Sequence, residues 1–284
     1  MPSAREINRR IKSVTNTQQI TKAMKMVSSV RLRRAQERAL ATASYTEKIE
    51  GMLQRLSAAA GSSDSPLFEQ RDVKRTCYII IGSDKGLAGA FNANINKTMT
   101  AVLQSRDKDA LTIYASGRKP NEYLRHLRVT PAERWSGFSD KPQFTHAQQL
   151  ADKAVAAFLD GTVDEVYVIY TKFRSALSQE VITERLLPIM PATVKKEGPS
   201  EEYFFVPDAQ QVLETLLPHY VQMFLYNGLL QSAASELGAR MTAMTSATDN
   251  AGELIERLTV NYNKVRQAGI TNELTEIVSG ANAL

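Results

Sequence analysis

The sequence is poor in cysteine and in long apolar runs. Its one cysteine, Cys77, can form neither an internal disulfide bond nor a zinc site built from cysteine pairs. No apolar run approaches the roughly eighteen residues of a membrane-spanning helix. The first ten residues, MPSAREINRR, lack the apolar stretch of a secretory signal. These absences lead us to expect a protein of a reducing, intracellular compartment.

Helix-breaking residues are scarce near the start of the chain. After Pro2, neither glycine nor proline occurs before Gly51. Ser3 and Glu6 have the spacing of a helix-capping box. The sequence therefore predicts one long helix over about residues 3–58.

Apolar residues follow one face of this first helix. Their spacing of three and four residues predicts a buried seam, which shifts once along the helix. Between the two halves of the seam, TNTQQ is polar and a poor helix former, so a break at 15–19 is left open. The seam residues are Ile7, Ile11, Val14, Ile20, Met24 and Val27.

The end of the chain predicts a second long helix, over 208–284. Asp208 and Gln211 have cap spacing, and an apolar stripe runs from Leu213 to Val265. Pro218 is expected to kink this helix. Because a helix of this length needs a partner, we expect an antiparallel coiled coil with the first helix.

Between the two long helices, runs of β-branched and aromatic residues alternate with helical patterns. This order predicts an α/β fold with a mainly parallel, Rossmann-like sheet. The division expected is 1–60 for the N-terminal helix, 61–207 for the α/β domain with its linkers, and 208–284 for the C-terminal helix. The predicted strands are 76–81, 110–115, 165–173 and an edge strand at 178–188, and the helices are 90–105, 117–127 and 145–159, the last capped by Thr145 and Gln148.

Charge is distributed unevenly along the chain. Residues 1–38 contain ten lysines and arginines against two glutamates, a balance of +8, within an overall net charge of +5. Residues 208–284 contain four basic residues against eight acidic ones, a balance of −4. The basic segment could pair with the acidic one or bind an acidic partner.

A glycine-rich turn, IIIGSDKGLAGAFN, follows the first predicted strand. In a phosphate-binding loop, lysine is followed by serine or threonine, whereas Lys85 precedes Gly86. The glycines also have the wrong spacing for a dinucleotide fingerprint. A tight turn between strand and helix explains them, so we expect no nucleotide site. The sequence contains no catalytic constellation and no metal-ligand spacing, and we expect neither an enzyme nor a cofactor.

Taken on physical grounds alone, the pattern describes an adaptor or a shaft. The alternative is a basic coiled-coil adaptor that binds nucleic acid through phosphate contacts of the first helix. Against that alternative, the basic segment lacks aromatic residues before Tyr45 and has no recognition motif.

Three segments carry a family resemblance that covers nearly the whole chain. INRRIKSVTNTQQITKAMKMVSSVRLRRAQ resembles the N-terminal signature of the gamma subunit of F-type ATP synthases. GSDKGLAGAFN is similar to the family's S-D-[RK]-G-L-C-G-x-x-N turn, with Ala88 where many members have cysteine. ARMTAMTSATDNAGELI and YNKVRQAGITNELTEIVSGANAL are similar to its C-terminal signature.

The resemblance implies the rotor shaft of a rotary motor, without a nucleotide site of its own. The expected partners are three alpha and three beta subunits, the epsilon subunit and the ring of c subunits, with no nucleic acid. Membrane association would be indirect. Without a transit peptide or the cysteine-bearing insertion of chloroplast members, a bacterial enzyme is expected, peripheral on the cytoplasmic face of the plasma membrane.

The resemblance also implies roles for individual residues. Those that match contacts of the catch loop of beta are Arg240, Gln267 and Thr271. Those that match contacts with the lower rim of the hexamer and the acidic lever loop of beta are Met24, Lys25, Arg31, Arg33, Arg34, Lys85 and Ala88. Those that match the c-ring contact are Tyr203 and Phe205, although Val206 stands where the family often has glutamate.

Overall fold

The computed structural model describes residues 3–59, 65–190 and 208–281. Its elements are, in chain order, α1 (Ala4–Ala59), β1 (Thr76–Ile81), α2 (Phe91–Ser105), β2 (Leu111–Ser116), α3 (Arg118–His126), β3 (Glu133–Trp135), α4 (Phe144–Leu159), β4 (Glu165–Phe173), β5 (Gln179–Leu187) and α5 (Ala209–Ala281). This confirms the predicted class: an α/β domain with long terminal helices. Within the described ranges, no helix is both long and apolar enough to cross a membrane.

The sheet has the order β3-β2-β1-β4-β5, in which β1 to β4 are parallel and β5 is an antiparallel edge strand. The predicted edge strand at 178–188 is therefore confirmed. The short β3 was not predicted, because ERW is too brief and too polar to produce a strand pattern.

The residues of β1 are buried on both faces of the sheet, as their uninterrupted apolar run indicates. Cys77, Ile79 and Ile81 point to the face covered by α4 and by the adjoining parts of α1 and α5. Tyr78 and Ile80 point to the face covered by α2 and α3. This packing holds the turn after β1 in a fixed position.

The chain divides into two compact units: Met1–Ser28 with Arg240–Leu284, and Ser29–Ala239. In the first unit, Gln18 Nε2 donates to the carbonyl oxygen of Thr248 at 3.4 Å, and the hydroxyls of Thr21 and Thr248 are 2.8 Å apart. A Cβ on Gly252 would lie 3.1 Å from Gln18 Nε2. Gln18 thus reaches as far as Gly252, whereas Thr21, later in α1, meets Thr248, which is earlier in α5. The two helices therefore run antiparallel.

Both predicted helix starts are confirmed. The Glu6 amide donates to Ser3 Oγ at 3.3 Å, and the Gln211 amide donates to Asp208 Oδ1 at 2.9 Å. The predicted cap of α4 is wrong, since the helix begins earlier and the Gln143 amide donates to His146 Nδ1 at 3.1 Å.

The helix α1 continues through residues 15–19 without a break. The second half of the predicted seam is wrong, because Ile20 and Val27 are 60% and 52% exposed. The buried positions are instead Thr21 and Ser28, seven residues apart. Gln18 and Thr21 form hydrogen bonds to Thr248 of α5, which satisfy their polar groups where the two helices meet.

Candidate functional site

The glycine turn occupies the carboxyl end of β1. A phosphate cradle needs several backbone N–H groups that point at the ligand. In this turn, three successive amides donate to protein acceptors instead: Gly82 to the Ser116 carbonyl oxygen at 2.8 Å, Ser83 to Asn92 Oδ1 at 3.4 Å, and Asp84 to Ser139 Oγ at 2.9 Å.

The glycines of the turn permit close backbone packing. A Cβ on Gly82 would collide with the ring of Pro120, and a Cβ on Gly117 would lie 2.5 Å from the Gly82 carbonyl oxygen. Gly117 also has a φ of +106°, which side chains rarely tolerate. Gly117 therefore packs against the backbone at the end of β1, and Gly82 packs against Pro120 of α3, which leaves no room for a side chain at either glycine.

Asp84 connects this turn to the start of α3 and to the loop after β3. Its carboxylate accepts hydrogen bonds from the amides of Arg118 at 3.0 Å, Gly137 at 2.8 Å and Ser139 at 3.0 Å. Burial by itself would raise the pKa of this carboxyl, but the hydrogen bonds outweigh burial, and the pKa lies below its usual value. Asp84 is therefore a charged clamp across the carboxyl edge of the sheet.

Asp140 lies in the loop that the clamp holds. Its Oδ2 accepts from Lys85 Nζ of the glycine turn and from Arg31 Nη1 of α1, each at 2.9 Å. The side chains of Lys85 and Arg31 remain 62% and 53% exposed, while that of Asp140 is 20% exposed. The structure thus brings together two cations that are far apart in the sequence.

The other predicted lower-rim residues lie on α1 or in the turn. Met24 and Lys25 are half-buried. Arg33 and Arg34 are exposed, and together with Val30 they line a shallow depression. Ala88 is buried in the core of the α/β domain, so Lys85 and Leu87, which is 66% exposed, supply the surface around it.

The predicted catch-loop residues all lie on α5. Gln267 and Thr271 are exposed, one helical turn apart on the same face. Arg240 is buried and lies about 40 Å along the helix from Gln267, at 1.5 Å per residue. The structure therefore groups two of the three residues and separates the third.

A family model for ATP synthase matches residues 3–284. Proteins named ATP synthase gamma chain from Heliobacterium modesticaldum and Desulforamulus reducens are 43% and 44% identical to the chain, over the whole of both sequences in each case. The chain belongs to the ATP synthase gamma-chain family. The relative from Moorella thermoacetica is 43% identical over the same full extent.

Solved structures of ATP synthases have the same fold as this gamma-family chain. A chain of Euglena gracilis mitochondrial ATP synthase is 20% identical, covers 99% of this chain with 94% of its own length, and has a TM-score of 0.72. A chain from the central stalk and c-ring structure of the Tetrahymena thermophila mitochondrial enzyme is 25% identical, with 80% and 99% coverage and a TM-score of 0.63.

The predicted c-ring contact falls on residues that the structure does not describe, Tyr203 and Phe205. Among the described residues, no histidine, cysteine, aspartate or glutamate side chains are grouped in threes as a metal site would need.

Sequence reasoning missed the two carboxylates that organise the glycine turn. Asp84 stands inside the quoted turn motif, so its position carried a signal that was not used. Asp140 carries no such signal, because its partners Arg31 and Lys85 are 109 and 55 residues away in the chain.

Proposed function

We propose that this chain is the central rotor shaft of an F-type ATP synthase. It couples ion-driven rotation of the c ring to ATP synthesis, or to hydrolysis, at sites on the beta subunits. The observation that carries the proposal is the full-length similarity, at 43–44% identity, to ATP synthase gamma chains. The description of the Tetrahymena structure as central stalk and c-ring supports the same role.

The two long helices suit a shaft. In the unit formed by residues 1–28 and 240–284, they pair antiparallel through Gln18, Thr21 and Thr248, and such a pair can turn inside a ring of alpha and beta subunits. The functional division proposed is an N-terminal shaft helix at 1–60, a central α/β domain at 61–207 and a C-terminal shaft helix at 208–284.

The proposed partners are three alpha and three beta subunits, epsilon and the c ring. Their expected contacts are those that the family resemblance implies for each residue, and the exposure of Arg33, Arg34, Gln267 and Thr271 suits such contacts. The subunit itself carries out no catalysis, and it is peripheral on the cytoplasmic face of the bacterial plasma membrane.

Co-purification tests this proposal. An affinity tag on this chain, expressed in its native cell, should recover alpha, beta and epsilon in one complex that hydrolyses ATP. The purified chain alone should hydrolyse none and should show no saturable heat when titrated with ATP. Recovery of nucleic acid at about 150 mM salt, without alpha and beta, would support the nucleic-acid adaptor instead.

A further inference from the structure

The loop between β3 and α4 offers one carboxylate oxygen to two cations. Asp140 Oδ2 binds Arg31 Nη1 and Lys85 Nζ at 2.9 Å each. Two cations that share one oxygen lie within a few ångströms of each other, and without the anion they would repel. Asp140 therefore determines that these two exposed side chains stand side by side.

The position of Asp140 is itself fixed by the fold. The neighbouring amides of Gly137 and Ser139 donate to the Asp84 carboxylate, and Ser139 Oγ accepts from the Asp84 amide. Phe138, in the same loop, is buried and stacks on His146 with ring centroids 4.0 Å apart. These contacts hold the loop in place, so the Asp140 carboxylate has little freedom to move with the two cations.

Arg31 and Lys85 can bind a second anion while Asp140 holds them. A guanidinium has five N–H donors and an ammonium three, and Asp140 engages Nη1 of one and Nζ of the other. More than half of each side chain is exposed. A carboxylate arriving from solvent would meet two donors already aligned, so less side-chain entropy is lost on binding.

We propose that Asp140 is a positioning residue that holds Arg31 and Lys85 together as a two-cation receptor for one acidic side chain of the beta subunit. This inference rests on the proposed function, which supplies the acidic partner. It differs from simple neutralisation, in which Asp140 would compete with the partner for the same cations. The two roles predict opposite effects when the carboxylate is removed.

The test measures the affinity of the full-length chain for the alpha–beta hexamer of the same organism, by biolayer interferometry at about 150 mM NaCl. Asp140→Asn should weaken binding about three- to fivefold, the upper part of the range that exposed charge pairs give. This loss runs against the gain of one positive charge, which by itself favours an acidic partner. The control Asp152→Asn makes the same charge change at an exposed position on α4 and should not weaken binding.

Three further variants separate positioning from other roles. Asp140→Glu keeps the charge and should recover most of the affinity. In a chain that already carries Arg31→Gln and Lys85→Gln, Asp140→Asn should change nothing further, because it acts through those two cations.

Unchanged or tighter binding by Asp140→Asn would overturn the inference. So would an Asp140→Glu chain as weak as the Asn variant, because the loss would then belong to the shape of the loop. A wild-type chain that fails to bind the hexamer would instead reject the proposed function.

Discussion

Asp84 is the residue on which the arrangement of the carboxyl edge depends. It is 8% exposed and accepts hydrogen bonds from three backbone amides, one at the start of α3 and two in the loop after β3. A charged acceptor in this position is worth more than a neutral one, because each bond to it is charge-assisted. The clamp holds the loop that carries Asp140.

Asp84→Asn should lower the free energy of unfolding by about 1–3 kcal/mol at pH 7, because one amide oxygen replaces two charged acceptors. The folded-state pKa of Asp84 lies below its unfolded value. Its contribution is therefore present at neutral pH and disappears as the pH falls through the folded pKa. Urea unfolding at pH 7 and at successively lower pH should show the difference between wild type and variant shrinking. A difference independent of pH would assign the loss to packing.

Gly82 and Gly117 test the packing explanation of the glycine turn. Alanine at either position should destabilise the chain by about 1–3 kcal/mol, since the new methyl collides with Pro120 or with the Gly82 backbone. Gly161 is the matched control for Gly117, because it also has a positive φ, of +74°, but no atom lies within 4 Å of an added Cβ. Alanine there should cost only the backbone strain, about 1 kcal/mol. Thermal unfolding measures all three, and equal losses would contradict the packing account.

At the scale of elements, the basic stretch of α1 presents exposed arginine side chains at Arg33 and Arg34. Arg33 has an exposed side chain, 84% accessible, and pairs only loosely with Glu37, at 3.4 Å. Such an exposed pair contributes little to stability. The charge is therefore available for contact with an acidic partner.

Reversal of Arg33 and Arg34 to glutamate should weaken assembly with alpha and beta while leaving the thermal stability of the free chain nearly unchanged. The effect should fade as salt rises from about 50 mM to 300 mM, because salt screens exposed charges. Arg125→Glu with Arg128→Glu makes the same charge change at exposed residues of the α/β domain. Analytical gel filtration across the salt series compares the two variants. Equal weakening by both would show that net charge alone matters.

At the scale of the whole molecule, the two long helices differ in length. If the pairing of Thr21 with Thr248 is extended to Ala4, the first residue of α1, α5 has no facing helix from about residue 266 onward. Ile270, Leu274 and Ile277 in this end are 50%, 57% and 67% exposed. A lone helix end with its apolar side chains in water gains little from packing.

Amides of residues 266–281 should therefore exchange fast in the free chain and become strongly protected in the assembled enzyme, where alpha and beta would enclose them. Gln267 and Thr271 should be among the protected positions. Hydrogen exchange followed by mass spectrometry measures both states, with peptides from β1 as a protected reference. Equal protection in the two states would mean that the helix end is stable without being enclosed by alpha and beta.

Local patterns in the sequence determined the type and limits of most elements. The strands at 76–81 and 165–173 were predicted to the residue, because short runs rich in β-branched and aromatic residues favour strands. The caps at Ser3 and Asp208 were predicted because a cap bonds within a few residues of itself. The family resemblance likewise lies in contiguous motifs.

Tertiary structure alone decided which faces are buried and which side chains meet. Thr21 is buried and Ile20 exposed because α5 supplies Thr248 as a hydrogen-bond partner for Thr21. The spacing of apolar residues in α1 does not predict that contact. Asp140 meets Arg31 and Lys85 only after the parallel sheet has brought the ends of β1 and β3 to one edge. Contacts between distant parts of the chain depend on packing free energy summed over the whole core, so no local run of residues specifies them.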